Sequence, residues 1–359
     1  MSGTAPDGSE VRIGMVGSGF IAGLHSRALR AVGYLPGPSP QPVLQRLASR
    51  NRATAAELAA RFGWRSTTTD WRAVTRDPEI DVVAICTPDA AHREVAEDAF
   101  AHGKHVFCEK PLAGSAADAR AMAAAADRHD GVQFVGFVLR CWPALEHARR
   151  TIAAGELGPL RNVRARYLLD SETLLESSLR GLGSHVLDAL VVLAGPVDAV
   201  AATTRPTAAD PEIDGRAAVL LEFASGSTGV LEVDREARGR AMDLVIEADC
   251  EHGGLTIGWR TRDVVAVHRV AGGVHQIPMG PRTSPFPIAP LDGLGYALDD
   301  LFAVQARQLL MLVAGEHARY PTFGDALHVA EATDAILDAA ATRGWRAVPR
   351  PAEADGPGR

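Results

Sequence analysis

Val11-Arg12-Ile13-Gly14-Met15-Val16 runs directly into Gly17-Ser18-Gly19-Phe20-Ile21-Ala22. The first six residues read as a short apolar strand, and Phe20 to Val32 reads as a helix. The turn between them has the spacing G-x-G-x-x-A, the alanine form of the dinucleotide-binding fingerprint. Gly17 permits a tight turn, Gly19 lets the backbone approach a pyrophosphate, and Ala22 keeps the helix close to the strand. A helix that starts here offers unpaired N–H groups and the positive end of its dipole to phosphates. Gly17, Gly19, Phe20 and Ile21 are therefore candidate cofactor-binding residues.

The segments downstream fit that reading. Val43 to Ala48 is a second strand, and the four prolines between Tyr34 and Pro42 make the stretch before it a loop. Thr54 to Phe62 is an Ala-rich helix closed by Gly63. Strands at Asp81–Cys86, His105–Cys108 and Val132–Val138 alternate with helices at Arg93–His102 and Ala116–His129, which predicts parallel βαβ units. Past residue 140 the rhythm changes. Arg161–Leu169, Ala199–Thr204, Ala217–Phe223, Ser227–Val233 and Asp243–Ala248 are β-rich, and Ser225-Gly226 and His252-Gly253-Gly254 read as hairpin turns. The expectation is an α/β Rossmann domain with a parallel sheet (residues 1–135), joined to an α+β C-terminal domain with a mainly antiparallel open sheet (136–350). Gly183–Ala194 reads as an apolar helix, Ala271–Leu291 as a long loop, Ala297–Val313 and Gly324–Thr342 as helices, and 351–359 as a disordered tail.

Composition narrows the function classes. A length of 359 residues favours two domains. The net charge of −7, with no basic block, argues against nucleic acid as the main partner, and 5% aromatic residues make a base-stacking surface improbable. Four widely spaced cysteines exclude a Cys-x-x-Cys zinc or redox site and suit a reducing compartment. The polar N-terminus is no signal peptide, and no apolar run is long enough for a membrane span. The expectation is a cytoplasmic protein with a small-molecule substrate, without nucleic-acid or membrane partners. No His/Asp/Glu grouping has metal-ligand spacing.

Cofactor choice is read at the end of the second strand, where NAD enzymes usually carry Asp or Glu for the ribose hydroxyls. Here the run is Leu47-Ala48-Ser49-Arg50-Asn51-Arg52, without a carboxylate. Ser49 can hydrogen-bond and Arg50 can pair with a 2′-phosphate, so NADP is favoured, with NAD as the alternative.

Cys108-Glu109-Lys110-Pro111-Leu112-Ala113, together with the fingerprint, Cys86-Thr87-Pro88 and Gly183-Ser184-His185, resembles the Gfo/Idh/MocA oxidoreductase family over nearly the whole chain. Within it the chain looks most like inositol and sugar dehydrogenases. The resemblance implies hydride transfer between a nicotinamide and a secondary alcohol or ketone of a sugar, cyclitol or related ring. It makes Lys110 and His185 the catalytic pair, and adds Thr87, Pro88, His92, Glu109 and Lys110 to the cofactor site. It further implies a cis Lys110–Pro111 bond and a homo-oligomer built on the open sheet. Gly183-Ser184 would put His185 in the first turn of a helix, whose positive end favours a neutral, proton-accepting ring. Asp188 lies one turn on and shares its face. His25, six residues past the fingerprint's second glycine, either borders the nicotinamide or faces the sheet.

Three departures bear on substrate. Gly181 stands where relatives carry an aspartate four residues before the histidine. The Tyr167–Arg180 segment lacks a Trp-Arg substrate loop. Val138-Leu139-Arg140 replaces an Asn-Tyr-Arg run. Lys110, Arg140, Asp170 and His185 are the candidate substrate contacts, and Asp170, Glu172 or Glu176 could replace the missing carboxylate. Two other readings stay open: a relative that retains its cofactor through elimination or glycoside cleavage, and a non-catalytic nucleotide-binding protein.

Overall fold

The structure is a computed structural model, and it describes residues 10–171, 177–280 and 297–350. Glu172, Glu176, most of the expected 271–291 loop and the 351–359 tail lie outside the described residues. By internal contacts the chain divides into two units. The first comprises residues up to Cys141 together with Ala297–Leu327, and the second comprises Trp142–Tyr296 with residues from His328 on.

The first unit is wound on a six-stranded sheet. Its strands are β1 (Glu10–Val16), β2 (Gln41–Ala48), β3 (Ser66–Thr68), β4 (Val82–Ile85), β5 (His105–Cys108) and β6 (Gln133–Val135). The helices α1 (Phe20–Ala31), α2 (Arg52–Phe62), α3 (Arg72–Thr75), α4 (His92–Ala101) and α5 (Ala116–Ala126) alternate with them. The strand order is β3-β2-β1-β4-β5-β6 and every pair is parallel. Each residue of β4 is buried, as a central strand covered on both faces requires. The order reverses direction between β1 and β4, so a crevice opens at the carboxyl ends of those strands, where such sheets bind ligands.

The second unit carries α6 (Pro143–Ala153), β7 (Leu160–Leu168) and α7 (Ser184–Ala194), followed by β8 (Val197–Pro206), β9 (Asp214–Phe223), β10 (Thr228–Asp234), β11 (Asp243–Cys250), β12 (Gly253–Gly258), β13 (Val264–Arg269) and β14 (Gly273–Pro278). The chain ends with α8 (Leu298–Val313), α9 (Phe323–Thr342) and β15 (Arg346–Ala347). Nine strands form one sheet in the order β14-β13-β12-β11-β7-β10-β9-β8-β15. All its pairs are antiparallel except β7 with β10. Strict alternation of buried and exposed residues along β9 leaves one face of the sheet open. Both expected hairpins form; Gly226, at φ 83°, supplies the left-handed residue of the first, while the second turns at Glu251-His252, with Gly253 and Gly254 already paired in β12. The strand β14 falls inside the stretch expected to be a loop and is a correction to that expectation. Among the described residues, no helix is long and apolar enough to cross a membrane.

The helix α8 belongs to the first unit. It packs on α1, where Phe302 meets the His25 ring edge-on at 5.2 Å between centroids and Asp299 pairs with Arg27 at 2.8 Å.

Candidate active site

The two fingerprint glycines meet different demands. Gly17 has φ 118°, and a Cβ there would lie 2.2 Å from the Cys86 carbonyl oxygen, so the protein itself requires glycine. Gly19 caps α1, and nothing lies within 4 Å of where its Cβ would be. No side chain caps α1, so its first-turn N–H groups face the space beside Gly19. Ala22 is fully buried against the sheet. A cleft of about 1150 Å³ opens at this point, lined by Gly17, Gly19, Ser49, Arg50, Thr87 and Pro88 among others. Thr87 Oγ1 is buried there with no hydrogen-bond partner. An open glycine, an uncapped helix and an orphaned hydroxyl in one cleft fit a dinucleotide.

At the tip of β2, Ser49 Oγ lies 2.6 Å from Ser18 Oγ, which lies 2.9 Å from Thr54 Oγ1. Asn51 caps α2 by accepting from Ala53 and Thr54 N–H. Arg50 and Arg52 extend from the cleft wall into solvent. Phe20 is 84% exposed at the start of α1, with Ile21 half-buried beside it.

The strand β5 delivers Glu109 and Lys110. Glu109 is buried; its Oε1 lies 2.5 Å from His25 Nε2, and its Oε2 accepts the Lys110 N–H at 3.0 Å. His25, with Phe107 and Phe302 at its ring edges, faces the sheet. Gly136 makes room for the carboxylate, since a Cβ there would meet Glu109 Oε1 at 2.8 Å. Burial pushes the Cys86 and Cys108 thiols well above their ordinary range, and the Glu109 charge adds to this, so neither serves as a thiolate. The Lys110–Pro111 bond is cis. Lys110 itself is half-buried. His92, expected in the cofactor site, is buried and is not among the residues lining the cleft; its Nε2 is 2.8 Å from the Thr87 carbonyl and its Nδ1 3.1 Å from that of Pro111. Arg140, still in the first unit, pairs with Asp325 at 3.0 Å.

In the second unit, His185 is the one residue of 181–190 that is not fully buried. It is the second residue of α7, in that helix's first turn as expected, but α7 does not begin from a free end. Leu179–Gly183 form a π-helical turn continuous with α7, Asp214 accepts the Leu179 N–H, and the helical path therefore starts before His185. The preceding turn moves the positive end of the helical path away from the ring. Gly181 is buried within the π-turn, and Asp188 is wholly buried one turn beyond His185. Asp170 accepts from Arg238 at 3.1 Å and from the Gly239 N–H at 2.9 Å. Among the described residues, no cluster of His, Cys, Asp and Glu could hold a metal ion.

An open α/β sheet with a phosphate cradle at its switch point, a Glu-Lys-Pro turn on the neighbouring strand and a second, antiparallel unit define a two-unit nicotinamide oxidoreductase. The family model described as oxidoreductase family, NAD-binding Rossmann fold matches residues 11–137, and the GFO/IDH/MocA C-terminal domain matches 145–256. The chain belongs to the Gfo/Idh/MocA oxidoreductase family. It is 30% identical to levoglucosan dehydrogenase of Pseudarthrobacter phenanthrenivorans, across 95% of this chain and 98% of that one. The solved complex of levoglucosan dehydrogenase with NADH and levoglucosan superposes with a TM-score of 0.91 at 29% identity, covering 95% of this chain and all of the other. D-xylose 1-dehydrogenase (NADP(+)) 2 of Haloferax volcanii is 29% identical over 52% of this chain and 60% of its own.

Proposed function

We propose that this chain is a dehydrogenase of a sugar or anhydrosugar, oxidising a ring secondary alcohol with NADP in preference to NAD. Similarity to levoglucosan dehydrogenase over 95% of the chain carries the reading. Bound nicotinamide supplies the hydride acceptor. The chain supplies position and proton handling. The first-turn amides of α1 and the open Gly19 hold the pyrophosphate. Ser49 and Arg50 receive the 2′-phosphate, a role supported by the lack of a carboxylate at the tip of β2. The Thr87 hydroxyl gains the partner it lacks. His185 accepts the alcohol proton, and Lys110 orients the reacting hydroxyl. Arg140 and Asp170 meet the substrate with their present partners attached.

The same reading includes a homo-oligomer and a cytoplasmic location. Leu220 and Val230, directly paired across β9 and β10 on the open sheet face, are 51% and 39% exposed, which supports cover by a second copy. The four cysteines are buried and free of disulfides, which supports a reducing compartment.

The test is fluorescence titration with NADPH and NADH in parallel, then turnover of levoglucosan, aldoses and cyclitols with NADP⁺ and NAD⁺. Tighter NADPH binding and reduced cofactor formed from levoglucosan or another sugar are expected. Tighter NADH binding overturns the cofactor preference, and binding without turnover of any of these compounds overturns the dehydrogenase reading.

A further inference from the structure

The exits of β4 and β5 bear the two turns on which the chemistry depends. One carries Thr87 into the cofactor cleft, and the other carries Lys110. The side chain of His92 lies between them. Its Nε2 is 2.8 Å from the Thr87 carbonyl, while its Nδ1 is 3.1 Å from the Pro111 carbonyl and 3.2 Å from that of Leu112. The residue is 1% exposed. A rigid ring with a nitrogen at each edge spans the gap between two separate turns; a neutral ring donates to the carbonyl on one side and packs against the other, an imidazolium donates to both, and the shorter asparagine amide spans less of the gap. On the other side of Lys110, the Glu109 carboxylate, held against His25, fixes the Lys110 N–H. The backbone is thus anchored immediately before and immediately after the lysine.

We propose that His92 is a positioning residue, a brace that fixes Lys110 relative to the cofactor-bearing Thr87 turn. The proposal rests on the reading of Lys110 as a group of the cofactor-bound site. Its effect passes through the turn and needs no contact between His92 and a ligand. Misplacement of about 1 Å in such a group is enough to cost roughly a hundredfold in rate, so a dedicated brace has a function beyond packing.

The sequence makes this measurable without knowing the substrate. The chain has two lysines against 35 arginines. Lys104 is buried and donates to the Asp77 and Ile80 carbonyls at 2.5 and 2.7 Å. Amine labelling followed by peptide mass spectrometry therefore reads Lys110 individually, with Lys104 as the internal control for an intact fold.

The full chain would be labelled by reductive methylation, alone and with NADPH or NADH at ten times Kd. In the parent protein, bound cofactor should slow Lys110 labelling about tenfold. In His92→Phe, cofactor affinity should stay within about threefold while protection of Lys110 falls to about twofold; His92→Asn, which keeps one of the two contacts and serves if the Phe variant does not fold, should lie between. Full protection in a variant that only melts earlier would overturn the brace and leave His92 a core residue. Absence of protection in the parent protein itself would overturn the Lys110 assignment, and the brace with it.

Discussion

Gly17 and Gly19 stand two residues apart and predict opposite phenotypes. Gly17→Ala forces a methyl group into the Cys86 carbonyl at a φ that side chains avoid, so it should lower the melting temperature and abolish cofactor binding together. Gly19→Ala meets open space, so it should melt like the parent yet, if the pyrophosphate sits there as proposed, bind NADPH and NADH at least about tenfold more weakly. Thermal melts beside fluorescence titration separate the two. Lys110→Ala should lower kcat by roughly 10²- to 10⁴-fold and leave cofactor Kd nearly unchanged. Undiminished turnover in that variant would remove Lys110 from the chemistry. The fingerprint was legible because its demands are local. The Glu109–His25 pair was not, since its partners are 84 positions apart and meet only after β5 is laid beside β4 and α1 covers the sheet. The His25 spacing was a signal, but it could not choose between the nicotinamide and the sheet.

At the scale of elements, α3 and α4 are tied by Asp98. Its carboxylate accepts from Arg76 at 2.8 Å and from Thr75 at 2.5 Å. The Arg76 hydrogen bond, aided by Thr75, holds the Asp98 carboxyl below the usual range despite partial burial. A depressed folded value contributes stability above the unfolded pKa of about 3.9, and that contribution is lost as pH falls through the folded value. Asp98→Asn should therefore lower the melting temperature at neutral pH, and the gap from the parent should close below about pH 4 in a pH series of melts. Elements with a local signal were legible: β4 as a near-continuous apolar run, β9 as a β-rich stretch before a hairpin turn, α2 through its alanines and its closing Gly63. The strand β14 escaped because almost all of its residues are exposed and it begins and ends on turn formers, Gly273 and Pro278. An edge strand without a buried face carries no periodic signal. The parallel pairing of β7 with β10 escaped for another reason: hairpin signals pair sequence neighbours, and these two strands are joined by a long excursion through α7, β8 and β9. The π-turn before His185 has no sequence mark of its own.

For the whole molecule, the open sheet face yields a test of assembly. Leu220→Asp combined with Val230→Asp places like charges directly opposite each other on that face. Sedimentation should show the parent as an oligomer and the double variant shifted towards monomer; a parent that sediments as a monomer would refute assembly through this face. Two units of different architecture also explain why the change of rhythm near residue 140 was readable, while the return of the chain to the first unit at Ala297 was not. Nothing in an amphipathic helix says which sheet it will cover. That return has a consequence during synthesis. The dinucleotide-binding sheet is finished once β6 leaves the ribosome, yet the helix that lies along α1 is α8, made more than 150 residues later. Until Val313 emerges, the nascent chain must carry a nearly complete Rossmann sheet with one flank of α1 uncovered. A chain stopped after Cys141 should therefore aggregate where the full chain stays monodisperse, because the first unit to begin folding is closed by a helix made only after strands β7 to β14 of the second.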